Sequence, residues 1–319
     1  MKYLKKNAKF VDRYVTKWGA IAKDWQKGEK MRGAALIGAP LSKPSISHSG
    51  AAFAPAAIRD MLYGYSTYAT SQEYDMKDSV LYDCGDILMH VTDIKESHCR
   101  IESTVNDLLM TSPNVIPIIL GGDHSISFPS IAGFSSCKGK TGIIQFDAHH
   151  DLRNLDDGGP SNGTPFRSLL ENDVISGKQL IQIGIRNFMN ARAYHDYAKE
   201  QGVTVYTMKD VREREIKEII FESISLLKAQ DVTNIYVSLD MDVLDQAFAP
   251  GCPAIGPGGM DSWTLLDGIT YLGQEPLVTG LDIVEIDPTL DIRDMTSRIA
   301  AQVIMDFILA KNDLPVMNL

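Results

Sequence analysis

No apolar run in the sequence approaches the roughly 18 residues that a membrane-crossing helix needs. None of signal-peptide length follows the basic start at Lys2, Lys5 and Lys6, and Asp12 and Asp24 sit badly in a transit peptide. Cysteine is scarce: Cys84, Cys99, Cys137 and Cys252 are scattered, with no Cys-x-x-Cys pair. That excludes a zinc ribbon, offers no disulfide framework and fits a reducing compartment, so a cytoplasmic location is expected. Positive charge is in deficit, with 31 Lys and Arg against 41 Asp and Glu, a net −10. Nucleic acid is therefore excluded as a partner, because neutralising phosphates requires a positive face. There is also no internal repeat, no low-complexity tract and no linker rich in Pro, Gly and Ser. What remains is a chain of 319 residues, 44% apolar, able to bury a sizeable core as one domain over 1–319. Residues 1–32, with Trp18, Ile21 and Trp25, are expected to be an N-terminal extension packing on the body or on a neighbouring subunit.

Short apolar runs alternate with stretches of helical period, which predicts an α/β fold: a parallel sheet with helices on both faces. Eight strands are expected at Ala34–Ala39, Val80–Tyr82, Val115–Leu120, Gly142–Phe146, Leu180–Ile185, Val203–Tyr206, Ile235–Leu239 and Thr279–Val284. Helices are expected at Pro55–Leu62, Asp93–Met110, Ala191–Gln201, Val211–Lys228, Ser262–Leu272 and Thr296–Ala310. Two Gly/Pro-rich stretches, Asp157–Pro165 and Ala249–Gly259, each follow a strand by a short interval, where ligands bind in such sheets.

Three clusters of candidate metal ligands fall just after predicted strands. They are Gly121-Gly122-Asp123-His124-Ser125, Asp147-Ala148-His149-His150-Asp151 and Ser238-Leu239-Asp240-Met241-Asp242. Parallel strands bring all three ends to one edge of the sheet. Asp147, His149 and Asp151 are spaced by two, as are Asp240 and Asp242, so extended chain would project each set to one side. Each cluster alone reads equally as a turn, a helix cap or a solvated strand end; together they point to a metal centre. Four carboxylates and two imidazoles with no thiolate suit a hard or borderline divalent ion such as Mn²⁺. Two such ions would offset the carboxylate repulsion and render a shared water acidic. His48, His90, His98 and His195 lack such company, and His150 should point away from its neighbours.

These motifs, Gly-Gly-Asp-His-Ser, Asp-Ala-His-x-Asp and Ser-x-Asp-x-Asp-x-x-Asp, resemble those of the ureohydrolases, the arginase and agmatinase superfamily. The resemblance runs from about Ala34 to the C-terminus. It implies a three-layer single domain with an eight-stranded parallel sheet, two Mn²⁺ per subunit, and a homotrimer or homohexamer. By motif position, His124, Asp147, Asp151 and Asp240 would hold one ion, and His149, Asp147, Asp240 and Asp242 the other. Asp151 would also pass a proton to the leaving nitrogen, and Glu285, in Glu-Ile-Asp-Pro, would pair with a guanidinium or amidinium. Asp245 and Asp287 are expected to serve in turns.

Two departures narrow the substrate. Arginases carry a histidine in the loop that here reads Gly159 to Arg167, and Asn162 takes its place; an amide orients but does not carry protons. Arg153 stands where arginases have an asparagine that meets the amino-acid end of the substrate. A cation there suits a carboxylate. Both features resemble bacterial formimidoylglutamases, which implies hydrolysis of N-formimidoyl-glutamate to glutamate and formamide in histidine degradation. Arg153, Asn162, Glu285 and Arg167 are then the expected substrate contacts, Arg167 reading equally as a surface helix residue. Another ureohydrolase acting on a guanidino acid or agmatine stays open, with urea as its product. So does a catalytically silent metal-binding homologue, although all six proposed ligands and Glu285 are present.

Overall fold

The computed structural model describes residues 12–312. The strands are β1 (Lys23–Asp24), β2 (Gly33–Gly38), β3 (Tyr68–Ala69), β4 (Tyr74–Asp75), β5 (Leu81–Asp86), β6 (Val115–Leu120), β7 (Thr141–Phe146), β8 (Leu180–Ile185), β9 (Thr204–Thr207), β10 (Asn234–Asp240) and β11 (Val278–Val284). The helices are α1 (Trp18–Ile21), α2 (Ala54–Leu62), α3 (Ile94–Thr111), α4 (Ser127–Lys138), α5 (Pro165–Glu171), α6 (Arg192–Gln201), α7 (Met208–Glu213), α8 (Ile216–Lys228), α9 (Ser262–Gln274) and α10 (Met295–Lys311). Nine strands form one parallel sheet in the order β1-β5-β2-β6-β11-β10-β7-β8-β9, with β3 and β4 as a separate antiparallel pair.

The eight expected strands are all present, and the ninth is the two-residue edge strand β1, which lies within the expected extension and pairs with β5. Too short to carry a period, it exists only because Asp83 and its neighbours offer an open edge. Trp18 of α1 is buried in the core, while residues 1–11 of the extension lie outside the described residues. The expected helix over Val211–Lys228 is two helices, α7 and α8, because Arg214 and Glu215 are extended. Thr207 and Asp210 form a capping box that starts α7 early, and a fresh helix begins after the break. Helices α4 and α5 carry no clean helical period, α4 being buried on most sides, and sequence patterning passed over them.

The central strands are largely apolar and rich in Ile, as strands covered on both faces must be, with Gln145 and Gln182 as polar exceptions. Successive side chains feed opposite layers. Leu36, Ile118, Ile144 and Phe146 enter the core shared with α2, α8, α9 and α10. Ala35, Ile119 and Ile143 enter the other, which holds Ile101 and Val105 of α3 and Ile131 and Phe134 of α4. Register then positions the site. Leu120, Ile283, Leu239 and Phe146 lie side by side across β6, β11, β10 and β7, so the residues just beyond them leave the sheet along one edge. The chain order reverses across these strands, which opens a crevice at their carboxyl ends.

Candidate metal centre

Past β6, Asp123 caps a short turn by accepting the Ser125 amide at 3.0 Å, and its other oxygen accepts Ser45 Oγ at 3.1 Å. The turn presents His124. Its Nδ1 lies 3.1 Å from Asp147 Oδ2, 2.9 Å from Asp151 Oδ2 and 3.1 Å from Asp240 Oδ2. On the other side of the ring, Nε2 meets Ser238 Oγ at 3.0 Å, and that hydroxyl donates to Asp282 Oδ1 at 2.8 Å. With its proton given to Asp282, Ser238 accepts the Nε2 proton, so Nδ1 is the atom that would turn a lone pair to a metal ion in place of a proton. Nδ1 is buried and makes no hydrogen bond, although three carboxylate oxygens surround it.

The second cluster turns where β7 ends. Asp147 Oδ1 accepts the His149 amide at 2.6 Å and Oδ2 accepts Gln145 Nε2 at 2.6 Å. His149 Nδ1 lies 2.9 Å from Asp242 Oδ2 and 3.4 Å from Asp147 Oδ1. Asp242 is held by the Ala148 amide at 3.1 Å, and its own amide donates to Asp240 Oδ1 at 2.8 Å. Convergence does not come from extended chain, as the spacing suggested: Asp151 has φ +50° and Asp242 sits in a 3-10 turn over Met241–Val243. The geometry defines two ligand groups, His124 with Asp147, Asp151 and Asp240, and His149 with Asp147 and Asp242. Asp147 belongs to both, whereas Asp240 joins only the first.

The electrostatics call for cations. Burial and the neighbouring carboxylates Asp242 and Asp147 push Asp240 well above the usual range, and burial with Asp147 lifts Asp151 to about 6. Burial opposes charge on both imidazoles, yet the carboxylates overcome it, raising His124 well above its usual value and His149 to about 12. Protons on the histidines are thus standing in for missing positive charge. Divalent ions would replace them, and the orphaned His124 Nδ1 together with an all-oxygen-and-imidazole donor set fits that role.

Glu285 follows β11 with φ +61°, a conformation rare outside glycine and typical of functional positions. Its Oε1 accepts the His124 amide at 2.8 Å and Asn162 Nδ2 at 3.1 Å. Among the described residues nothing donates to Oε2. Burial first, then Asp123, raises the Glu285 carboxyl to about 8. Asn162 also accepts the Ile46 amide at 3.0 Å, so both ends of its amide are engaged by protein. Arg167 is likewise engaged, paired with Glu171 and stacked 3.6 Å from the Tyr197 ring centroid. Arg153 is exposed and, among the described residues, forms no ion pair. Asp245 caps a turn through the Ala247, Gly258 and Gly259 amides, and Asp287 accepts the Gly50 amide, both in the expected structural role. His150 is buried against Gln182 and His195, away from the ligand groups. Sequence reasoning passed over Gln145 and Asp282, and it gave Ser238, though quoted in the third motif, no role of its own. Their signal was a polar residue inside an otherwise apolar strand.

A sequence model of the Arginase family matches residues 32–310. The chain is 61% identical over 307 residues to the formimidoylglutamase of Halalkalibacterium halodurans, covering 96% of each. It is 52% identical to that of Bacillus subtilis, covering 93% of this chain and 92% of that one. The crystal structure of the Bacillus subtilis formimidoylglutamase superposes with a TM-score of 0.95 at 48% identity, over 99% of this chain and 98% of that one.

Proposed function

Since the chain belongs to the arginase family, we propose that it hydrolyses N-formimidoyl-L-glutamate to L-glutamate and formamide, the reaction for which its most similar relatives above are named. The observation that carries the choice is chemical. A buried carboxylate, Glu285, whose Oε2 is unengaged among the described residues, stands beside the ligand groups, while an exposed arginine, Arg153, unpaired among those residues, follows Asp151 by two. An amidinium at one end and carboxylates at the other complement that pair of charges.

Two Mn²⁺ ions per subunit are proposed at the ligand groups, one on His124, Asp147, Asp151 and Asp240, the other on His149, Asp147 and Asp242, with Asp240, whose Oδ1 accepts the Asp242 amide at 2.8 Å, proposed to reach the second ion as well. When bound they supply Lewis acidity, activating water and stabilising negative charge at the reacting carbon. Glu285 orients and neutralises the amidinium. Asp151, in the first ligand group, would take a proton from the attacking water and pass it to the glutamate nitrogen as the C–N bond breaks. Arg153 takes a substrate carboxylate. Water adds across the amidine carbon, so the products balance as formamide and glutamate.

A homotrimer or homohexamer, a cytoplasmic location and a single domain over 1–319 with residues 1–32 as its extension belong to the same proposal. No helix among the described residues is long and apolar enough to cross a membrane. The deciding experiment offers Mn²⁺-loaded protein formimidoylglutamate, agmatine and guanidino acids and assays formamide and urea. Formamide from formimidoylglutamate is expected; urea from a guanidino compound without formamide would overturn the proposal.

A further inference from the structure

The loop holding Asn162 contains a glycine whose backbone does not demand one. Gly163 is absent from the positive-φ residues, so its conformation is open to any side chain. The space is what forbids one: a Cβ there would lie 2.6 Å from Arg153 Cδ and 2.9 Å from Nε. The two residues are also joined through the backbone, the Arg153 amide donating to the Gly163 carbonyl at 3.0 Å. On another side stands Tyr194, in the first turn of α6, with its ring centroid 5.9 Å from the guanidinium carbon, within range of a cation–π contact. Asn190, ahead of that helix, accepts the His150 amide at 2.8 Å and donates to the Ala148 carbonyl at 3.0 Å. The tyrosine is thereby registered to the same loop that carries Asp147, His149 and Asp151.

We infer that Gly163 and Tyr194 are positioning residues that form a slot for Arg153 and so set specificity for a substrate carboxylate. The inference rests on the proposed substrate. Glycine lets the arginine stem lie flat on the loop, and the aromatic face holds the guanidinium without neutralising it. No carboxylate among the described residues competes for it, in contrast to Arg167, which Glu171 occupies. A long side chain kept in one orientation loses less entropy on binding an anion, which is how pre-organisation raises affinity. A methyl at 163 would meet the middle of a flexible side chain, so it should displace Arg153 more than it disturbs the fold.

The test is a double-mutant cycle on the full-length, Mn²⁺-loaded protein. It combines Gly163→Ala with Arg153→Ala and reads KM, kcat and the affinity for glutamate by calorimetry. Gly163→Ala is expected to raise KM for formimidoylglutamate about tenfold and weaken glutamate binding similarly, with a much smaller fall in kcat. In the Arg153→Ala background the same change should add almost nothing. Tyr194→Ala should act in the same direction, and Tyr194→Phe should recover most of the loss, since the ring face is retained; this pair carries the test if Gly163→Ala does not fold. An unchanged KM in Gly163→Ala, or a penalty that persists undiminished without Arg153, overturns the inference. If the wild type releases no formamide from formimidoylglutamate, it is the proposed substrate that fails, and the two failures are separate results.

Discussion

The floor and the rim of the crevice are built on different principles. The floor is buried at nearly every ligand: His124 and Asp147 are 0% exposed, Asp240 is 2% and Asp242 is 3%. Four of the six ligand side chains are braced from behind: His124 by Ser238, Asp147 by Gln145, Asp242 by the Ala148 amide and Asp240 by the Asp242 amide. The rim is half-buried or exposed, with Arg153 and Asn162 on loops and Arg167 on the short helix α5. A floor so braced has one geometry and suits one kind of chemistry. A rim on loops can change its substrate contacts without touching the metal ligands, which is why related enzymes share a floor and differ in substrate.

The sharpest break in that comparison is to damage the floor alone. Asp147→Asn removes charge from the one residue common to both ligand groups. Manganese content should fall below two per subunit, and kcat should drop by about 10³-fold, in keeping with loss of a charged donor from the reacting centre. Elemental analysis beside single-turnover kinetics would check it; full metal content would remove Asp147 from the shared position.

Glu285 sits where floor meets rim, so its loss should spare the metals and still cost heavily. Glu285→Gln is expected to lower kcat/KM by about 10²-fold, the scale of a charge-assisted contact made in the transition state. The metal-free protein offers a second reading. Glu285 is raised from 4.5 to about 8, so between those pH values the folded chain holds a proton that the unfolded chain has released. Its contribution to stability therefore falls as pH rises through that window. The difference at pH 8 should be on the order of 1–3 kcal/mol in favour of Glu285→Gln, vanishing near pH 4. Denaturant titrations of metal-free protein at both pH values measure it.

At the rim proper the effects should shift from kcat to KM. Arg153→Ala is expected to raise KM for formimidoylglutamate by about 10- to 100-fold with manganese content intact, the range of a lost charge-assisted pair. Asn162→Ala should be milder, about tenfold in kcat/KM, because it removes one of two donors to Glu285 Oε1 and leaves the His124 amide in place. Steady-state kinetics separates the two. An Asn162→Ala that changed KM alone would mean that the amide meets substrate rather than Glu285.

The same division explains what was legible in the sequence. Floor ligands are short motifs at strand ends, and a parallel sheet converts that order into proximity, so His124, Asp147 and Asp240 were readable as partners from spacing alone. The means of convergence was not readable: Asp151 reaches the group through a left-handed backbone that an alternating pattern would not suggest. Asp282 was not legible because its partner Ser238 becomes its neighbour only once β10 and β11 are aligned, whereas Gln145, two residues before Asp147, was within reach of the motif and was passed over. Rim residues depend on which loops lie opposite one another. Asn162 was expected to meet substrate; in the structure its amide also links Glu285 to Ile46, a contact across more than a hundred residues that no local pattern encodes.

Arg167 tests where the rim ends. Its position in the loop after Asp151 suggested a second carboxylate contact, but its guanidinium is stacked on Tyr197 and paired with Glu171 four residues on, in the manner of a helix surface pair. To bind substrate it would have to leave both partners. Together they are worth only about 1 kcal/mol, a cation–π contact plus a half-buried ion pair. That is small enough to be broken by a dicarboxylate and large enough to show in a melting curve. If the stacked state persists with substrate bound, Arg167→Ala should lower stability by about 1 kcal/mol and leave KM within roughly twofold. A tenfold rise in KM would instead place Arg167 beside Arg153, and the rim would then hold two arginines matched to the two carboxylates of the proposed substrate.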